Sequence, residues 1–344
     1  MKAVVIHEHG GPEVLRYEDV RDPTPGPGEA LLRVHAVSVN RTLDTEVRSG
    51  TYVPLRFPHI LGVDPAGEVV ALGEGAEGVA VGDRVVPQPL ITCGDCAHCR
   101  AGHRIQCQRP RIFGVHTWGG DAQYATVPAR NLVRIPEGLS YQQASAIMIM
   151  FPTAWHLLAS RAQVQPGETV VIMGAAGSLG LAGLQIAKYL GARVIAAAGA
   201  DWKLERVRAL GADEGVNYAT HTLSEEVLRL TDGLGADVVF ENISSRELFP
   251  QSMASLGWGG RLVTCGTHGG GLVEIALRPF YVKQQSILGS AGATRAETEE
   301  VYRLIAAGRL HPIIEHVLPL AEIAEGHRLA ADRNSFGRVV LDVP

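Results

Sequence analysis

The stretch that decides the fold reads Thr169-Val-Val-Ile-Met-Gly174-Ala-Ala-Gly177-Ser-Leu-Gly180-Leu-Ala-Gly-Leu-Gln-Ile-Ala-Lys-Tyr-Leu190-Gly-Ala-Arg193-Val-Ile-Ala-Ala-Ala198. Thr169–Met173 and Arg193–Ala198 are short, mostly apolar runs, typical of strands that are buried on both faces. Between them, apolar residues recur at helical spacing over Ser178–Leu190, and Gly191 is placed to end that helix. A strand, a helix and a second buried strand in this order predict a parallel β-α-β unit.

The alternation of strands and helices continues beyond this unit. Asp237–Glu241 and Arg261–Cys265 are further strand-like runs. A capping box, Thr294-Arg-Ala-Glu297, predicts another helix to about residue 307, and Gly337–Val343 predicts a closing strand. The second half of the chain is therefore expected to be α/β, with a doubly wound parallel sheet.

Three glycines, Gly174, Gly177 and Gly180, lie between the first strand of this unit and its helix. At that place the backbone N–H groups and the positive end of a helix dipole bind the pyrophosphate of a dinucleotide. The spacing is G-x-x-G-x-x-G rather than the common form, and a plain tight turn also needs glycine. The flanking elements favour a nucleotide site, to which Ser178 and Leu179 would contribute at the helix start.

The residues after the second strand bear on the choice of coenzyme. An acidic side chain there usually binds the ribose of NAD, whereas Ala198-Gly-Ala200 leaves room for a phosphate. Lys203 and Tyr218 could bind the 2′-phosphate of NADP, or they could be a solvated helix residue and a packing residue. Asp201 comes three positions late and could still bind the ribose, but it is expected to cap a helix. We expect NADP(H) rather than NAD(H).

The first 136 residues have a different pattern, in which short apolar runs alternate with turn residues. This pattern predicts a mainly β domain with long loops. The runs are Lys2–Ile6, Glu29–Val39, Gly67–Leu72, Arg84–Gln88 and Ala122–Val127. A chain of 344 residues is longer than one core usually supports, so two domains are expected.

Four of the five cysteines lie within fifteen residues, at Cys93, Cys96, Cys99 and Cys107. Four thiolates suit the tetrahedral preference of zinc and leave no position for a water molecule, so the site would be structural. A disulfide framework is the alternative, but it belongs to small secreted chains, and the first apolar run is too short for a signal peptide. We expect one zinc ion per chain in a lobe at about residues 90–110, with His98 and His103 on its surface.

Composition excludes several classes of function. A net charge of −5 without a basic stripe offers no surface for nucleic acid and no polybasic patch for a membrane. The longest apolar run, Ala144–Leu158, is broken by Pro152 and is shorter than the ~18 residues of a membrane span. We therefore expect a cytoplasmic protein with a small-molecule substrate.

At this point the chain resembles the medium-chain dehydrogenase/reductase superfamily over essentially its whole length. Besides the cysteine lobe and the glycine loop, the resemblance rests on Phe57-Pro-His-Ile-Leu-Gly62-Val-Asp64-Pro-Ala-Gly67, Val81-Gly-Asp-Arg-Val85, Phe151-Pro-Thr153-Ala-Trp155, Leu210-Gly-Ala-Asp213, Asn217-Tyr218 and Gln284-Gln-Ser-Ile-Leu-Gly289. It implies a GroES-like catalytic domain at 1–150, completed by a C-terminal return at 293–344. It also implies a Rossmann domain at 151–292, a cleft between the two domains, and usually a homodimer.

Departures from the alcohol-dehydrogenase branch are informative. That branch binds a catalytic zinc ion through a cysteine, a Gly-His-Glu motif and a further cysteine or acidic residue. The matching positions here are Asn40 or Arg41, then Val63 and Asp64, then Ile149. Valine and isoleucine have no lone pair for a metal, so a catalytic zinc site cannot be assembled at these positions. The chain thus looks like the quinone-oxidoreductase-like branch with a structural zinc lobe.

Without a Lewis acid, reduction of a conjugated acceptor is easier than oxidation of an alcohol. Tyr52 matches a tyrosine that lines the pocket of related reductases and donates a proton in some, although a purely structural tyrosine is the alternative. The segment Asn40-Arg-Thr-Leu-Asp44 is expected at the floor of the cleft. There Thr42 could relay a proton if Asn40 is the counterpart of the missing cysteine, and Arg41 could bind an anionic or carbonyl group.

Further site residues follow from the same resemblance. Asp64 is expected to form an ion pair with Arg41 in place of the metal, and Trp118 is expected to form a wall of the substrate pocket. The residues expected beside the coenzyme in the second domain are Thr153, Asn242, Gly289 and Ser290.

The sequence therefore predicts an NAD(P)H-dependent reductase of quinones or α,β-unsaturated carbonyl compounds. An alcohol or aldehyde dehydrogenase of the same superfamily is the main alternative. A nucleotide-binding structural or sensor protein is the alternative from a different class. The identity of the substrate and the direction of the physiological reaction do not follow from the sequence.

Overall fold

The computed structural model describes residues 1–344, which form two compact units. Unit 1 contains Met1–Ile149, Thr294–Ala306 and Pro312–Pro344, and unit 2 contains Met150–Ala293 and Ala307–His311. The chain therefore leaves unit 1 and later returns to complete it. The domains expected from the sequence, 1–150, 151–292 and 293–344, differ from these bounds by one residue at each junction and by the segment 307–311.

Unit 1 is built on a seven-stranded sheet whose longest strand is Glu29–Ser38. The order across the sheet is Ile314–Pro319, Arg338–Asp342, Glu29–Ser38, Asp64–Leu72, Arg84–Pro87 and Leu132–Arg134, and Tyr124–Pro128 also pairs with Glu29–Ser38. The two strands of the C-terminal return run parallel to each other, and Arg338–Asp342 pairs antiparallel with the end of Glu29–Ser38. The first part of unit 1 and its C-terminal return thus share one sheet.

Shorter elements complete unit 1. Two small antiparallel sheets pair Lys2–Val5 with Arg16–Asp19 and Leu90–Ile91 with Arg111–Ile112. The α-helices are Val47–Ser49, Ala97–Arg100, Tyr141–Ile147, Arg295–Ala306 and Ile323–Ala331. Single helical turns occupy Pro12–Val14, Arg41–Glu46, Arg104–Gln106, Ala129–Asn131 and Leu320–Glu322. Buried side chains such as Leu32, Val34 and Val69 form the main apolar core beneath the large sheet.

Unit 2 is a six-stranded parallel sheet with helices between its strands. The strands are Thr169–Met173, Arg193–Ala198, Glu214–Asn217, Ala236–Glu241, Leu256–Thr264 and Ser286–Gly289. Their order across the sheet is third, second, first, fourth, fifth and sixth, and every pair is parallel. The helices are Met150–Trp155 with its continuation His156–Arg161, Ser178–Tyr189, Asp201–Ala209, Leu223–Leu230, Leu248–Ala254 and Leu277–Val282. This is the doubly wound order of a dinucleotide-binding sheet.

The α/β class with a mainly β first part and a parallel sheet in the second is confirmed. The strands Thr169–Met173 and Arg193–Ala198 have the predicted bounds. The capping box is also present, because the carboxylate of Glu297 accepts hydrogen bonds from the backbone N–H and the hydroxyl of Thr294 at 2.7 and 2.8 Å. No helix is long and apolar enough to cross a membrane.

Candidate functional site

The four cysteines of the lobe lie together in unit 1. Their Sγ atoms are all within 4.8 Å of one another, and none forms a disulfide. The Sγ of Cys93 lies 3.5 Å from that of Cys107 and 3.9 Å from that of Cys99. Four sulfurs at the usual zinc–sulfur distance of about 2.3 Å are about 3.8 Å apart in a tetrahedron, so the spacing suits zinc. His98 and His103 do not belong to this group.

Backbone N–H groups donate to two of the four sulfurs. Cys96 caps the short helix Ala97–Arg100, and its Sγ accepts a hydrogen bond from the N–H of Cys99 at 3.5 Å. The Sγ of Cys107 accepts from the N–H of Cys93 at 3.3 Å. The backbone N–H groups of Gln108 and Cys99 lower the pKa of Cys96 to about 6, whereas burial raises the pKa of Cys99 to about 11. Four close sulfurs are a donor set that zinc prefers, so the residues present fit the ion.

The glycine loop in unit 2 has the geometry of a phosphate-binding turn. Gly174 has a φ of +58°, and a Cβ at Gly180 would lie 2.2 Å from the carbonyl oxygen of Gly174. Both positions therefore require glycine. Gly177 precedes the twelve-residue helix Ser178–Tyr189, and the N-terminus of a helix is the end that attracts an anion. Asn242 adjoins this loop, because a Cβ at Gly174 would come within 2.9 Å of its Oδ1.

The expected 2′-phosphate region lies at the end of the second strand of unit 2. The ring of Tyr218 lies 3.2 Å from the place that a Cβ at Gly199 would occupy, so the two residues are neighbours. The ammonium of Lys203 lies over the ring of Trp202, 5.3 Å from its centre. The expectation that Asp201 caps the helix is wrong: Ala200 holds that position. Asp201 is the first helical residue and accepts a hydrogen bond from Asn217 at 2.8 Å.

A buried carboxylate that the sequence analysis missed shapes the loop after the strand Ala236–Glu241. Glu241 is fully buried and accepts hydrogen bonds from the N–H of Ile243 at 3.1 Å and from the N–H and hydroxyl of Ser244 at 3.0 Å. Ser244 adopts a φ of +55°, a conformation that usually belongs to glycine. The bonds to Glu241 hold this strained residue, and with it Asn242 beside the glycine loop. The sequence signal that could have identified Glu241 is an acidic residue at the end of an apolar, strand-like run.

The remaining expected coenzyme residues of unit 2 occupy separate elements. Thr153 is buried in the helix Met150–Trp155. Gly289 ends the sixth strand, and its carbonyl accepts a hydrogen bond from Arg161 at 3.1 Å. The hydroxyl of Ser290 is buried without a hydrogen-bond partner. Burial raises the pKa of the Cys265 thiol to about 12, which favours the weakly nucleophilic protonated form.

The side chains of Asn40 and Asp44 fix the segment Asn40–Glu46, which follows the strand Glu29–Ser38, by accepting hydrogen bonds from backbone N–H groups. The side-chain oxygen of Asn40 accepts hydrogen bonds from the N–H of Thr42 at 3.1 Å and of Leu43 at 3.0 Å. The carboxylate of Asp44 accepts bonds from the N–H of Asn40 at 2.6 Å and of Gly62 at 3.2 Å. Asn40 and Asp44 are buried, and Thr42 is partly exposed. Burial raises the pKa of Asp44 to about 6, against the effect of these N–H groups.

The expected ion pair between Asp64 and Arg41 is wrong. Arg41 is exposed, and Asp64 is fully buried against Arg338, whose guanidinium lies 2.6 Å from the Asp64 carboxylate. Arg338 also donates to the hydroxyl of Ser38. Burial raises the pKa of Asp64 to about 7, although Arg338 opposes the rise. A third buried carboxyl, Asp121, has a pKa well above its usual range because of burial and the neighbouring Asp44.

The residues at the other two positions of a catalytic metal site, Val63 and Ile149, have apolar side chains that belong to one cluster. Val63 is fully buried and shares one cluster with Ile149, Leu43, Val47 and Leu61. Neither Val63 nor Ile149 offers a ligand atom, and their neighbours in this cluster are apolar. The residues at these positions therefore do not fit a catalytic zinc ion.

Tyr52 and Trp118 are partly exposed aromatic residues of unit 1. Tyr52 is 45% exposed, and partial burial raises the pKa of its hydroxyl. Trp118 is 43% exposed, and its indole N–H donates to the carbonyl of Pro58 at 3.2 Å. His9, which the sequence analysis missed, holds the loop that carries Tyr52. Its ring contacts the carbonyl of Arg48 at 3.1 Å and accepts from the N–H of Leu55 at 3.4 Å.

Known proteins match this chain in sequence and in fold. The family model for the alcohol dehydrogenase GroES-like domain matches residues 26–137, and the model for zinc-binding dehydrogenases matches residues 178–307. A quinone oxidoreductase from Pongo abelii is 32% identical, with 99% of this chain and 97% of the relative aligned. An acryloyl-coenzyme A reductase from Metallosphaera sedula is 30% identical over 99% of both chains. The crystal structure of an NAD-dependent alcohol dehydrogenase is 42% identical, with a TM-score of 0.93 over 100% of both chains.

Proposed function

Since the chain belongs to the medium-chain dehydrogenase/reductase superfamily and is an NAD(P)-dependent oxidoreductase, we propose that it reduces a quinone or an α,β-unsaturated carbonyl compound without a catalytic zinc ion. The observation that carries this proposal is the apolar cluster that contains Val63 and Ile149. An alcohol is oxidised most easily when a metal lowers the pKa of its hydroxyl. A conjugated acceptor already has an electrophilic carbon and needs no such help.

The chain's own residues have defined tasks in this reaction. The N–H groups at the start of the helix Ser178–Tyr189 would hold the pyrophosphate of a bound nicotinamide coenzyme. That coenzyme would supply the hydride for the electrophilic carbon of the acceptor and would be left in its oxidised form. Negative charge then develops on the carbonyl oxygen, where the hydroxyl of Tyr52 donates a hydrogen bond and a proton. Thr42 is held at the start of its helical turn by Asn40 and is the second candidate for handling that proton.

Two relatives support this class of acceptor, since one is named a quinone oxidoreductase and another an acryloyl-coenzyme A reductase. The second candidate function is oxidation of an alcohol. It is favoured by the likeness to the NAD-dependent alcohol dehydrogenase.

For the coenzyme we propose NADP(H) rather than NAD(H). No acidic side chain stands in Ala198-Gly-Ala200, and the nearest one, Asp201, is engaged by Asn217. Lys203, two residues further along the same helix, is the cation that we propose for the 2′-phosphate. The NAD dependence in the name of the 42% identical structure is the argument on the other side.

We also propose one structural zinc ion per chain, held by the four cysteines.

We further propose that the protein is a homodimer. Unit 2 ends its sheet on the open strand Ser286–Gly289, and strongly exposed apolar side chains lie in the segment before this strand (Leu272, Leu277 and Tyr281) and in the neighbouring strand (Trp258). An open strand beside exposed apolar side chains favours pairing with a second copy. Light scattering should give the mass of two 36.7-kDa chains, and Leu277→Asp should shift it toward one.

The test of the acceptor class uses steady-state kinetics after dialysis against a chelator that leaves the four-thiolate zinc in place. NADPH should be consumed over many turnovers with menadione or 2-cyclohexen-1-one as acceptor. Simple alcohols with NADP⁺ should be poor substrates. Efficient alcohol oxidation that the chelator abolishes would support the dehydrogenase alternative instead. Coenzyme binding without turnover of any acceptor would support the structural or sensor alternative.

A further inference from the structure

Two buried carboxyl groups of unit 1, Asp44 and Asp64, lie near the buried cation Arg338, and a third, Asp121, lies near Asp44. We call these four residues the carboxylate cluster. One oxygen of Asp64, one oxygen of Asp121 and the Nε of Arg338 have no hydrogen-bond partner. Three ionised carboxylates beside one guanidinium would leave net charge buried at high cost, so the cluster must hold protons. Whether Asp64 is ionised therefore depends on Arg338.

We propose that Arg338 is a positioning residue for the segment Asn40–Glu46 and acts on it through Asp64. This inference rests on the proposed function, in which the same segment presents Thr42 to the substrate. Arg338 touches neither Thr42 nor Tyr52 in the bonds described above; its partners are Asp64 and Ser38. Its influence on the reaction would be indirect.

The path from Arg338 to the segment consists of four hydrogen bonds. Arg338 donates to Oδ2 of Asp64 at 2.6 Å, and the same oxygen accepts from the Nδ2 of Asn40 at 3.4 Å. With its Nδ2 directed at Asp64, the side chain of Asn40 directs its Oδ1 at the N–H groups of Thr42 and Leu43. An amide has its donor and acceptor on opposite sides. The acceptor at Asp64 therefore decides which way Asn40 faces, and the cap depends on that orientation.

The charge on Arg338 matters because it keeps Asp64 an acceptor. A protonated Asp64 would carry a donor that could face the Nδ2 of Asn40, and two donors repel each other. Arg338 favours the ionised form of Asp64, whereas burial and the nearby Asp44 favour the protonated form, and Tyr302 also faces Asp64. Removal of the guanidinium leaves only the weak hydrogen bond from Asn40 to favour ionisation, against burial and Asp44. Asp64 would then lose both its charge and the group that orients its Oδ2, and it would hold the amide of Asn40 less firmly.

The experiment measures hydrogen–deuterium exchange of peptides that cover residues 40–46, without substrate. In Arg338→Met, the amides of Thr42, Leu43 and Asp44 should exchange at least tenfold faster. The amides of the strand Glu29–Ser38 should stay protected. Arg338→Lys keeps the charge in the same place and should retain most of the protection. Arg328→Met, which removes an exposed arginine paired with Glu325, is the matched control and should behave as the native protein.

A kinetic readout separates positioning from general stability. In Arg338→Met we expect kcat for the acceptor to fall about tenfold or more, while KM for the coenzyme stays constant because the coenzyme loop lies in unit 2. Faster exchange over the whole seven-stranded sheet, or native exchange at residues 42–44, would overturn the proposal. If Arg338→Met does not fold, the same measurements on Arg338→Lys and Asp64→Asn decide. Asp64→Asn should remove the pH dependence, between about 5 and 8, of the protection factor at residues 42–44, which is the exchange rate of an unfolded peptide divided by the observed rate.

Because exchange is measured without substrate, its result does not depend on the acceptor class. Fast local exchange in Arg338→Met together with no reduction of quinones or enones by the native enzyme would refute the proposed function and retain the positioning role. Native exchange at residues 42–44 in Arg338→Met, together with reduction of quinones or enones by the native enzyme, would refute the positioning role and retain the proposed function.

Discussion

Replacement of Asp64 by asparagine should remove a pH dependence from the stability of the protein. Asp64 is fully buried, and burial raises its pKa to about 7. In an unfolded chain an aspartate has a pKa of about 3.9. As the pH falls, the folded protein takes up this proton before the unfolded chain does. The group therefore destabilises the fold above pH 7, and this destabilisation is lost as the pH falls through 7 toward about 4.

The magnitude follows from the two pKa values. The shift of roughly three units corresponds to about 4 kcal/mol over the whole range. Between pH 8 and pH 5 the same values change the free energy of unfolding by about 2 to 3 kcal/mol, because part of the titration lies below pH 5. The native protein should gain this much stability relative to Asp64→Asn as the pH is lowered. The asparagine also leaves Arg338 without a counter-charge, which adds a cost that is nearly constant over this range.

Urea unfolding at several pH values, followed by circular dichroism, measures the difference. Asp332→Asn makes the same chemical change at an exposed position of unit 1, so its free energy of unfolding should follow that of the native protein. The quantity of interest is the native value minus the Asp64→Asn value. If this difference stays constant from pH 5 to pH 8, Asp64 does not titrate there and the cluster contains a permanently ionised pair.

Three further predictions concern the metal, the coenzyme and the proton. Metal analysis should return one zinc ion per chain. Cys96→Ser should lose this ion and should be less stable, because three ligands leave the lobe without its tetrahedral site. Two tightly bound zinc ions per chain would support a catalytic metal site. Lys203→Ala should weaken NADPH binding roughly tenfold to a hundredfold in calorimetric titration and leave NADH nearly unchanged; tighter NADH binding by the native protein would contradict the phosphate site. Tyr52→Phe should lower kcat on an enone about a hundredfold with little change in KM. If turnover is undiminished under conditions where hydride transfer limits the rate, Tyr52 only lines the pocket and does not donate the proton.

The sequence was most informative where a local pattern determines the structure. The strands Thr169–Met173 and Arg193–Ala198 were placed correctly because a buried parallel strand is a continuous apolar run between turn residues. The strand Ile314–Pro319 was missed because most of its residues are partly or fully exposed, so its sequence, Ile-Glu-His-Val-Leu-Pro, has no clear alternation. Asp201 was misread because its partner, Asn217, belongs to the next strand.

The partner of Asp64 could not have been found from sequence patterns. Arg338 lies 274 positions away, and only the pairing of the last strand with Glu29–Ser38 brings the two side chains together. Arg41 was the nearer cation in sequence, but the turn Arg41–Glu46 leaves it exposed. Buried polar contacts of this kind depend on the tertiary structure, whereas the glycine loop and the cysteine lobe are contained in one stretch of chain.

The return of the chain to unit 1 has a consequence for synthesis on the ribosome. Unit 2 consists almost entirely of residues 150–293, so most of it can fold while the C-terminal part is still being made. The sheet of unit 1 lacks the strand Arg338–Asp342 until these residues have left the exit tunnel. During that interval Asp64 has no guanidinium and the edge of Glu29–Ser38 is open. The nascent first unit should therefore be sensitive to proteases and chaperones until this strand has joined its sheet.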